Sequence, residues 1–423
     1  MDLNRKTAFQ VLFEIEKEDS YSNLTLNKFI SENKPENPAF VRELVYGVLE
    51  NKMLLDYYLN QLIPSGINKV KKKEKCFLRM GLYQILFMDS VPEYAAINET
   101  VNLAKKLCRG RETFINGVLR GYLKKKDGIK LPDDEKEALS IRYSFPIWII
   151  DMWTMQYGEE KCEALLKASN ERPHLSIRVN LMKKTPEMLK SRLESKGFKV
   201  ASGKHSKRIL YVEGSGLLDT DEYKQGMFSV QDEASALAAD ALDPEEGYFV
   251  IDVCAAPGGK SLAIAEAMND KGQLYSCDIY EHKLKLISEQ ANRLGVSIVK
   301  PTLLDGIVGD TSLNGLADRV LVDAPCSGLG VIRRKPEIKY KENEDLRELV
   351  SIQAGILERA SKYLKDNGVL VYSTCTVNKD ENENQVRTFL KKNNNFELVE
   401  ERQFLPTEGL DGFYVCKMIK RSN

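Results

Sequence analysis

The sequence predicts a multidomain chain: an all-α front domain over residues 1–140, a small α+β module over 141–225, and a doubly wound α/β domain over 226–423. Three observations predict it. Apolar stripes at helical spacing fill the first third, where strand-like alternation is scarce. Beyond residue 226, apolar strand-like runs alternate with amphipathic helices, the pattern of a mostly parallel sheet covered on both faces. Finally, 423 residues exceed one ordinary domain, and 43% hydrophobic residues supply several cores.

In the front domain, Ala8, Val11, Leu12 and Ile15 form one stripe in NRKTAFQVLFEIEKE. PAFVRELVYGVLENKMLLDYYLNQLI, CFLRMGLYQILFMDS, AAINETVNLAKKLC and ETFINGVLRGYLKK continue the pattern, and the turn-rich KDGIKLPDDEK ends it. The middle module reads as helices in IRYSFPIWIIDMWTMQYG and EEKCEALLKASNE. A strand in HLSIRVNLMKK, a helix capped by Thr185 in TPEMLKSRLESKGF and a strand in RILYVEG follow. In the last domain YFVIDVCA, GQLYSCDI, VSIVKPTLLD, ADRVLVDAP and GVLVYSTC are the strands. KSLAIAEAMND, EHKLKLISEQANRLG and EDLRELVSIQAGILERASKYLK are the helices between them, giving a Rossmann-like order.

Composition narrows the function classes. The N-terminus has no continuous apolar core of a signal peptide, and no run approaches the ~18 apolar residues of a membrane span. The eight cysteines form no CxxC pair, so no metal site is expected, and the pattern reads as a reduced, cytoplasmic protein. Nothing demands an oligomer, and a monomer is expected. Net charge is zero but uneven, with a net +7 over residues 1–225 and −7 beyond, so polyanion binding would fall unequally on the domains.

The residues suited to chemistry fall at the carboxyl ends of the predicted strands, where doubly wound sheets bind ligands. YFVIDVCA runs into APGGKS, whose Gly258 and Gly259 permit a tight turn and close approach. The segment has neither dinucleotide nor phosphate-loop spacing, and a plain strand-to-helix turn would also use such glycines. Asp252, Asp278, Asp305 and Asp323 close four successive strands. Each alone fits a cap or turn, but together they suit a nucleoside-bearing ligand, with Asp278 placed to accept from ribose hydroxyls. Cys326 and Cys375 fall on turns at the same edge, where an inert core cysteine is less expected.

DVCAAPGGK, DAPCSG and STCT together resemble the motifs of the Sun/Nop2 family of 5-methylcytosine RNA methyltransferases, with QDEASAL, SIRVN and DGFYVCKM resembling its flanking segments. VRELVYGVLEN, YAAINETVNLAKK and FINGVLRGYL resemble the helical NusB fold, an RNA-binding module. That combination resembles the arrangement of the bacterial RsmB/Sun type. The resemblance implies S-adenosylmethionine as cofactor and 16S ribosomal RNA as partner, at the cytosine conventionally numbered 967.

The resemblance also implies roles. Cys375 adds to carbon 6 of cytosine, making carbon 5 nucleophilic. Cys326 helps remove the carbon 5 proton and release Cys375, and Asp323 acts at the ring, in protonated form as a donor to nitrogen 3. Cys254, Ala255, Ala256, Pro257, Gly258, Gly259 and Lys260 line the methionine part, Asp278 the ribose and Asp305 the adenine amine, with Asp323 near the methyl. Lys260, Arg333 and Arg334 are candidate substrate contacts; the run KVKKKEK (69–75) could touch phosphates but reads more readily as a solvated loop. His174, His205 and His282 form no acid–base arrangement. Cys76, Cys108, Cys162, Cys277 and Cys416 read as structural. The alternatives are a cytosine-5 enzyme for transfer RNA or another ribosomal site, a small-molecule methyltransferase, and a non-catalytic RNA-binding module.

Overall fold

The computed structural model describes residues 2–18, 22–341 and 345–422. Glu344, the first residue of the helix predicted in EDLRELV, lies outside the described residues. The chain divides into two compact units, Met1–Glu171 with Ile332–Lys341, and Arg172–Val331 with Glu342–Asn423.

The first unit is helical throughout its described elements. Ala8, Val11, Leu12 and Ile15 line one face of helix Leu3–Glu18 and are buried in its core. The stripe over 38–63 is broken into helices Pro38–Glu50 and Lys52–Leu62 at Asn51, which leaves the helical conformation (φ −108°, ψ 17°) and folds its Nδ2 back onto the Gly47 carbonyl at 2.9 Å. IRYSFPIWII breaks by a different device. Ser144 takes the left-handed conformation (φ 54°), and Pro146, with no N–H to give, precedes helix Ile147–Tyr157. Of the lysine run, Lys72 onward is the first turn of helix Lys72–Phe87 rather than a loop. Further along that helix, buried Arg79 grips Asp56 in a two-pronged pair (2.7 and 2.8 Å) and reaches Glu16 at 3.0 Å.

Residues 332–341 join this unit from far along the chain. Lys339 is fully buried and donates to the carbonyls of Glu50 (2.7 Å) and Tyr143 (3.4 Å) and to Asn170 Oδ1 (3.0 Å), with its ammonium 4.5 Å from the Phe145 ring centre. Tyr340 donates to Leu49 O at 2.7 Å, and Glu337 accepts from the amide and hydroxyl of Ser22.

The second unit carries two sheets. The smaller joins β1 (Ser176–Val179), β2 (Lys199–Ser202), β3 (Ile209–Glu213) and β4 (Phe228–Val230) in the antiparallel order β2-β3-β1-β4. Thr185 caps helix Pro186–Ser195 by accepting from the Met188 amide, as its sequence predicts. The larger sheet contains β5 (Phe249–Asp252), β6 (Gln273–Asp278), β7 (Val299–Leu303), β8 (Ala317–Asp323), β9 (Leu364–Thr374), β10 (Phe396–Phe404) and β11 (Phe413–Lys420). Its order is β10-β11-β9-β8-β5-β6-β7, parallel from β9 to β7 and antiparallel in the β10–β11 hairpin added beside β9. β7 contains Pro301, which is tolerated because that strand is the sheet's edge. The chain reverses its winding at β5, between β8 and β6, so the crevice above those strand ends is the expected ligand site. Among the described residues, no helix is long and apolar enough to cross a membrane.

Candidate active site

The four strand-end acids line one edge in the spatial order Asp323, Asp252, Asp278, Asp305, following β8-β5-β6-β7. The loop after β5 is folded over this edge by its own backbone: Ala255 N donates to Cys277 O and Gly258 N to Ala255 O, both at 2.7 Å. Gly258 has φ 104°, and a Cβ there would press to 3.4 Å of Ile287. Helix Gly259–Ala267 starts at once and carries Lys260 back toward β8. From the small sheet, fully buried Arg178 supports the loop, donating to Gly259 O (3.0 Å) and Gln231 (2.9 Å) and pairing with Glu266 (2.9 Å). Burial, then the charges of Asp252, Asp323 and Asp278, push the Cys254 thiol well above its ordinary value, so its sulfur is no ready nucleophile.

Asp278 accepts from the Tyr280 amide (3.0 Å) and lies 3.7 Å from Lys283. Asp305 Oδ1 accepts from the amides of Ile307 and Val308, so the turn role is real for that oxygen. Asp252 is fully buried under the loop, where Ser261 Oγ donates to it at 2.6 Å. Burial nonetheless pushes its carboxyl up to about 7 from 3.8. Between those limits the fold holds a proton that the unfolded chain has released, so the stability Asp252 contributes falls as pH rises through that window. The total is on the order of a few kcal/mol. Asp252→Asn should remove this slope, so its Tm should gain on wild type between about pH 5 and pH 8. An equal Tm difference at both pH values would show that Asp252 is not held protonated.

β8 and β9 end level, with Asp323 paired in register to Ser373. Asp323 Oδ2 accepts from Lys260 Nζ at 2.6 Å and Oδ1 from Ser373 Oγ at 2.9 Å, while the Lys260 ammonium also lies 5.2 Å from the Phe413 ring centre. Burial works against the Lys260 charge, but Asp323 outweighs it and the pKa is raised. Three residues past Asp323 and two past Ser373, the turns bring Cys326 Sγ and Cys375 Sγ to 3.2 Å. The hydrogen bond to Cys375, burial, and the charges of Cys375 and Glu381 together push the Cys326 thiol well above its ordinary value. Gly330 N donates to Cys375 O (3.0 Å) and Gly412 N to Gly330 O (2.8 Å). A Cβ on Gly330 would fall 1.9 Å from the Gly412 carbonyl oxygen, so these backbones can lie this close only with glycine.

Lys260, Asp323, Cys326 and Cys375 are thus one cluster, with Asp252, Asp278 and Asp305 along the adjoining edge. Arg333 and Arg334 belong to the first unit, where Arg333 is buried and Arg334 half-buried. Cys76, Cys162, Cys277 and Cys416 are buried free thiols and Cys108 a half-buried one. Ser373, Phe413, Arg178 and Glu381 are site residues that the sequence patterns do not single out. Ser373 stands inside the STC motif, and Phe413 inside DGFYVCKM, so position within a motif was the available signal for those two.

Three family models match the chain: NusB family over residues 2–124, an RsmF/B-like ferredoxin-like domain over 145–217, and 16S rRNA methyltransferase RsmB/F over 239–419. The chain is 38% identical to the probable ribosomal RNA small subunit methyltransferase B of Bacillus subtilis, over 99% of this chain and 98% of that one. It is 33% identical to the ribosomal RNA small subunit methyltransferase B of Serratia proteamaculans, over 94% and 93%. Among solved structures, that of PH0851 superposes over 98% of both chains with TM-score 0.84 and 27% identity. A methyltransferase homolog protein from Pyrococcus horikoshii superposes over 68% of this chain and 100% of its own, with TM-score 0.62 and 26% identity.

Proposed function

Since the chain belongs to the ribosomal RNA small subunit methyltransferase B family, we propose that it methylates carbon 5 of a cytosine in 16S ribosomal RNA, with S-adenosylmethionine as donor and Cys375 as covalent nucleophile. The observation that carries this reading is the pair of sulfurs at 3.2 Å beside the Asp323–Lys260 ion pair. A methyltransferase acting on an oxygen or nitrogen would have no use for two adjacent thiols. Cytosine carbon 5 needs them, because it is too weak a nucleophile until a thiolate has added to carbon 6.

The cofactor reading fits the residues present. The Gly258 turn leaves a cradle that a side chain would strain, and Asp278 and Asp305 stand along it as acceptors for ribose hydroxyls and an adenine amine. When bound there, S-adenosylmethionine supplies an electrophilic methyl group. The chain's own part begins with Cys375, whose sulfur forms a bond to carbon 6 as the 5,6 double bond opens. Lys260 and Asp323 meet the charge that develops on the ring, Lys260 as the proton-bearing member of the pair. Once carbon 5 carries its methyl and Cys375 is bound to the ring, the Cys326 thiol gives its proton to water and the resulting thiolate takes the carbon 5 proton. The electron pair left behind re-forms the double bond and expels the Cys375 thiolate. The target must leave its base stack for this attack, which favours an unpaired loop. Of the two arginines, Arg334 keeps the exposure that a phosphate contact needs.

Methyl transfer from radiolabelled S-adenosylmethionine to unmodified small-subunit RNA, followed by nucleoside analysis, tests the reading. Label is expected in 5-methylcytidine from one loop of 16S RNA. Label confined to transfer RNA would keep the chemistry and overturn the substrate. Absence of label from every RNA would return the chain to the binding-module alternative.

A further inference from the structure

We propose that Glu381 is a positioning residue for this reaction: its buried carboxylate fastens together the two turns that carry Cys326 and Cys375. The inference rests on the two-cysteine reading above. Glu381 lies in the turn after β9, before helix Glu383–Lys392, and is fully buried. Its Oε2 accepts from the Ser327 amide (2.8 Å) and Gln353 Nε2 (3.0 Å). Its Oε1 accepts from Ser327 Oγ (2.6 Å), Asn378 Nδ2 (3.2 Å) and Thr376 Oγ1 (3.3 Å).

The identity of those donors is the point. Ser327 directly follows Cys326, and Thr376 directly follows Cys375. Gln353 uses the same amide to hold Pro325 O at 2.9 Å, so Cys326 is gripped from both sides. The Ser327 and Thr376 hydroxyls also meet each other at 2.8 Å, and since Ser327 gives its proton to Glu381, Thr376 shares its one proton between Ser327 Oγ and Glu381 Oε1. Next to Glu381, Asn382 Nδ2 donates to Thr376 O at 3.0 Å, adding a hold on the Cys375 turn.

Every donor named here is a neutral group, an unusual setting for a fully buried carboxylate. Burying a charge is costly unless its hydrogen bonds are filled, and here they are filled by the turns whose spacing matters. The buried negative charge has a second effect. It faces Cys326 and is among the causes that keep that sulfur a thiol, behind the hydrogen bond to Cys375, burial, and the charge of Cys375. Glu381 therefore fixes the gap between the sulfurs and biases which of them carries the proton.

The test compares full-length wild type with Glu381→Gln, whose amide fills the same volume but turns one acceptor into a donor facing the Ser327 side. Two readouts are taken. The first is kcat and KM for RNA across pH. The second is the rate at which diamide bridges Cys326 to Cys375, read by peptide mass; diamide takes up two electrons and two protons as the S–S bond forms. The expected result is a fall in kcat on the order of 10²-fold with KM nearly unchanged, the scale of an ångström-level misplacement, and bridging slowed in parallel. The activity profile should also move along the pH axis. Ser327→Ala, which leaves Glu381 in place and removes one tether from the Cys326 turn, should slow bridging in the same direction, so a poorly folding Glu381 variant does not shelter the idea. Unchanged kcat, pH profile and bridging in both variants would overturn it. Failure of the underlying methylation reading looks different: wild type would label no cytosine, while the bridging difference would persist.

Discussion

Cys375→Ala should transfer no measurable methyl to RNA, and Cys326→Ala should accumulate a protein–RNA complex that survives denaturation. The first loss should be on the order of 10⁴-fold or more, the scale of removing a covalent nucleophile. Adding an alanine leaves carbon 5 without the activation that only a carbon 6 adduct gives. The second follows from the proton inventory. In the free protein the hydrogen bond and charge of Cys375 are the first and third causes that keep Cys326 protonated. Once Cys375 is tied up as a thioether both causes vanish, so Cys326 becomes easier to ionise at the stage when a carbon 5 proton must be removed. Without Cys326, methylation can proceed but release stalls. Denaturing gels with labelled RNA read both variants. A Cys326→Ala protein that turns over at the wild-type rate would sink the assignment, and an adduct trapped by Cys375→Ala instead would exchange the two roles.

Asp323→Asn should lower kcat by about 10²–10³-fold, the range for removing one preorganised electrostatic partner of a developing charge. The carboxylate accepts from Lys260 and Ser373 at once, so an amide can keep its oxygen for Lys260 only by turning its Nδ2 to Ser373, whose hydroxyl must then accept, and the Lys260 contact loses its charge partner. The substitution should also leave a signature on the pH axis. Burial alone would pull the Lys260 pKa down, and Asp323 is what holds it up. With Asp323 neutral, Lys260 should lose its proton at lower pH, and the alkaline limb of the rate profile should move to lower pH with it. Lys260→Met should show the rate loss without that limb. A pH profile superimposable on wild type would rule out Lys260 as the proton-bearing partner.

How far the sequence could be read depended on where each residue's partners lie. β5, β8 and β9 announce themselves by the buried apolar runs VI, VLV and VLVY at their centres, and β6 by its place between two helices. β10, FELVEERQF, is exposed along most of its length, and β2, KVAS, is largely exposed too, so neither carries an apolar pattern that marks a strand. β11 is legible as a motif rather than as a strand. In the site, Cys326, Cys375 and Asp323 were legible because each ends a strand within a recognisable string. Glu381 was not, since in KDENEN it looks like one more surface acid and only its burial reveals it. Arg178 hid in plain view within SIRVN, a basic residue in a short strand whose four positions are all buried.

A gene for the catalytic unit alone could not be made by cutting this one at a single place. The decapeptide Ile332–Lys341 is coded in the middle of the catalytic unit yet packs as part of the helical one. All three oxygens that hold Lys339 come from residues before position 172. A fragment beginning there would inherit Ile332, Pro336, Ile338 and Lys339 with nothing to bury them. The catalytic half of the sequence therefore carries ten residues whose burial depends on the helical half, while the helical half carries no such segment in return.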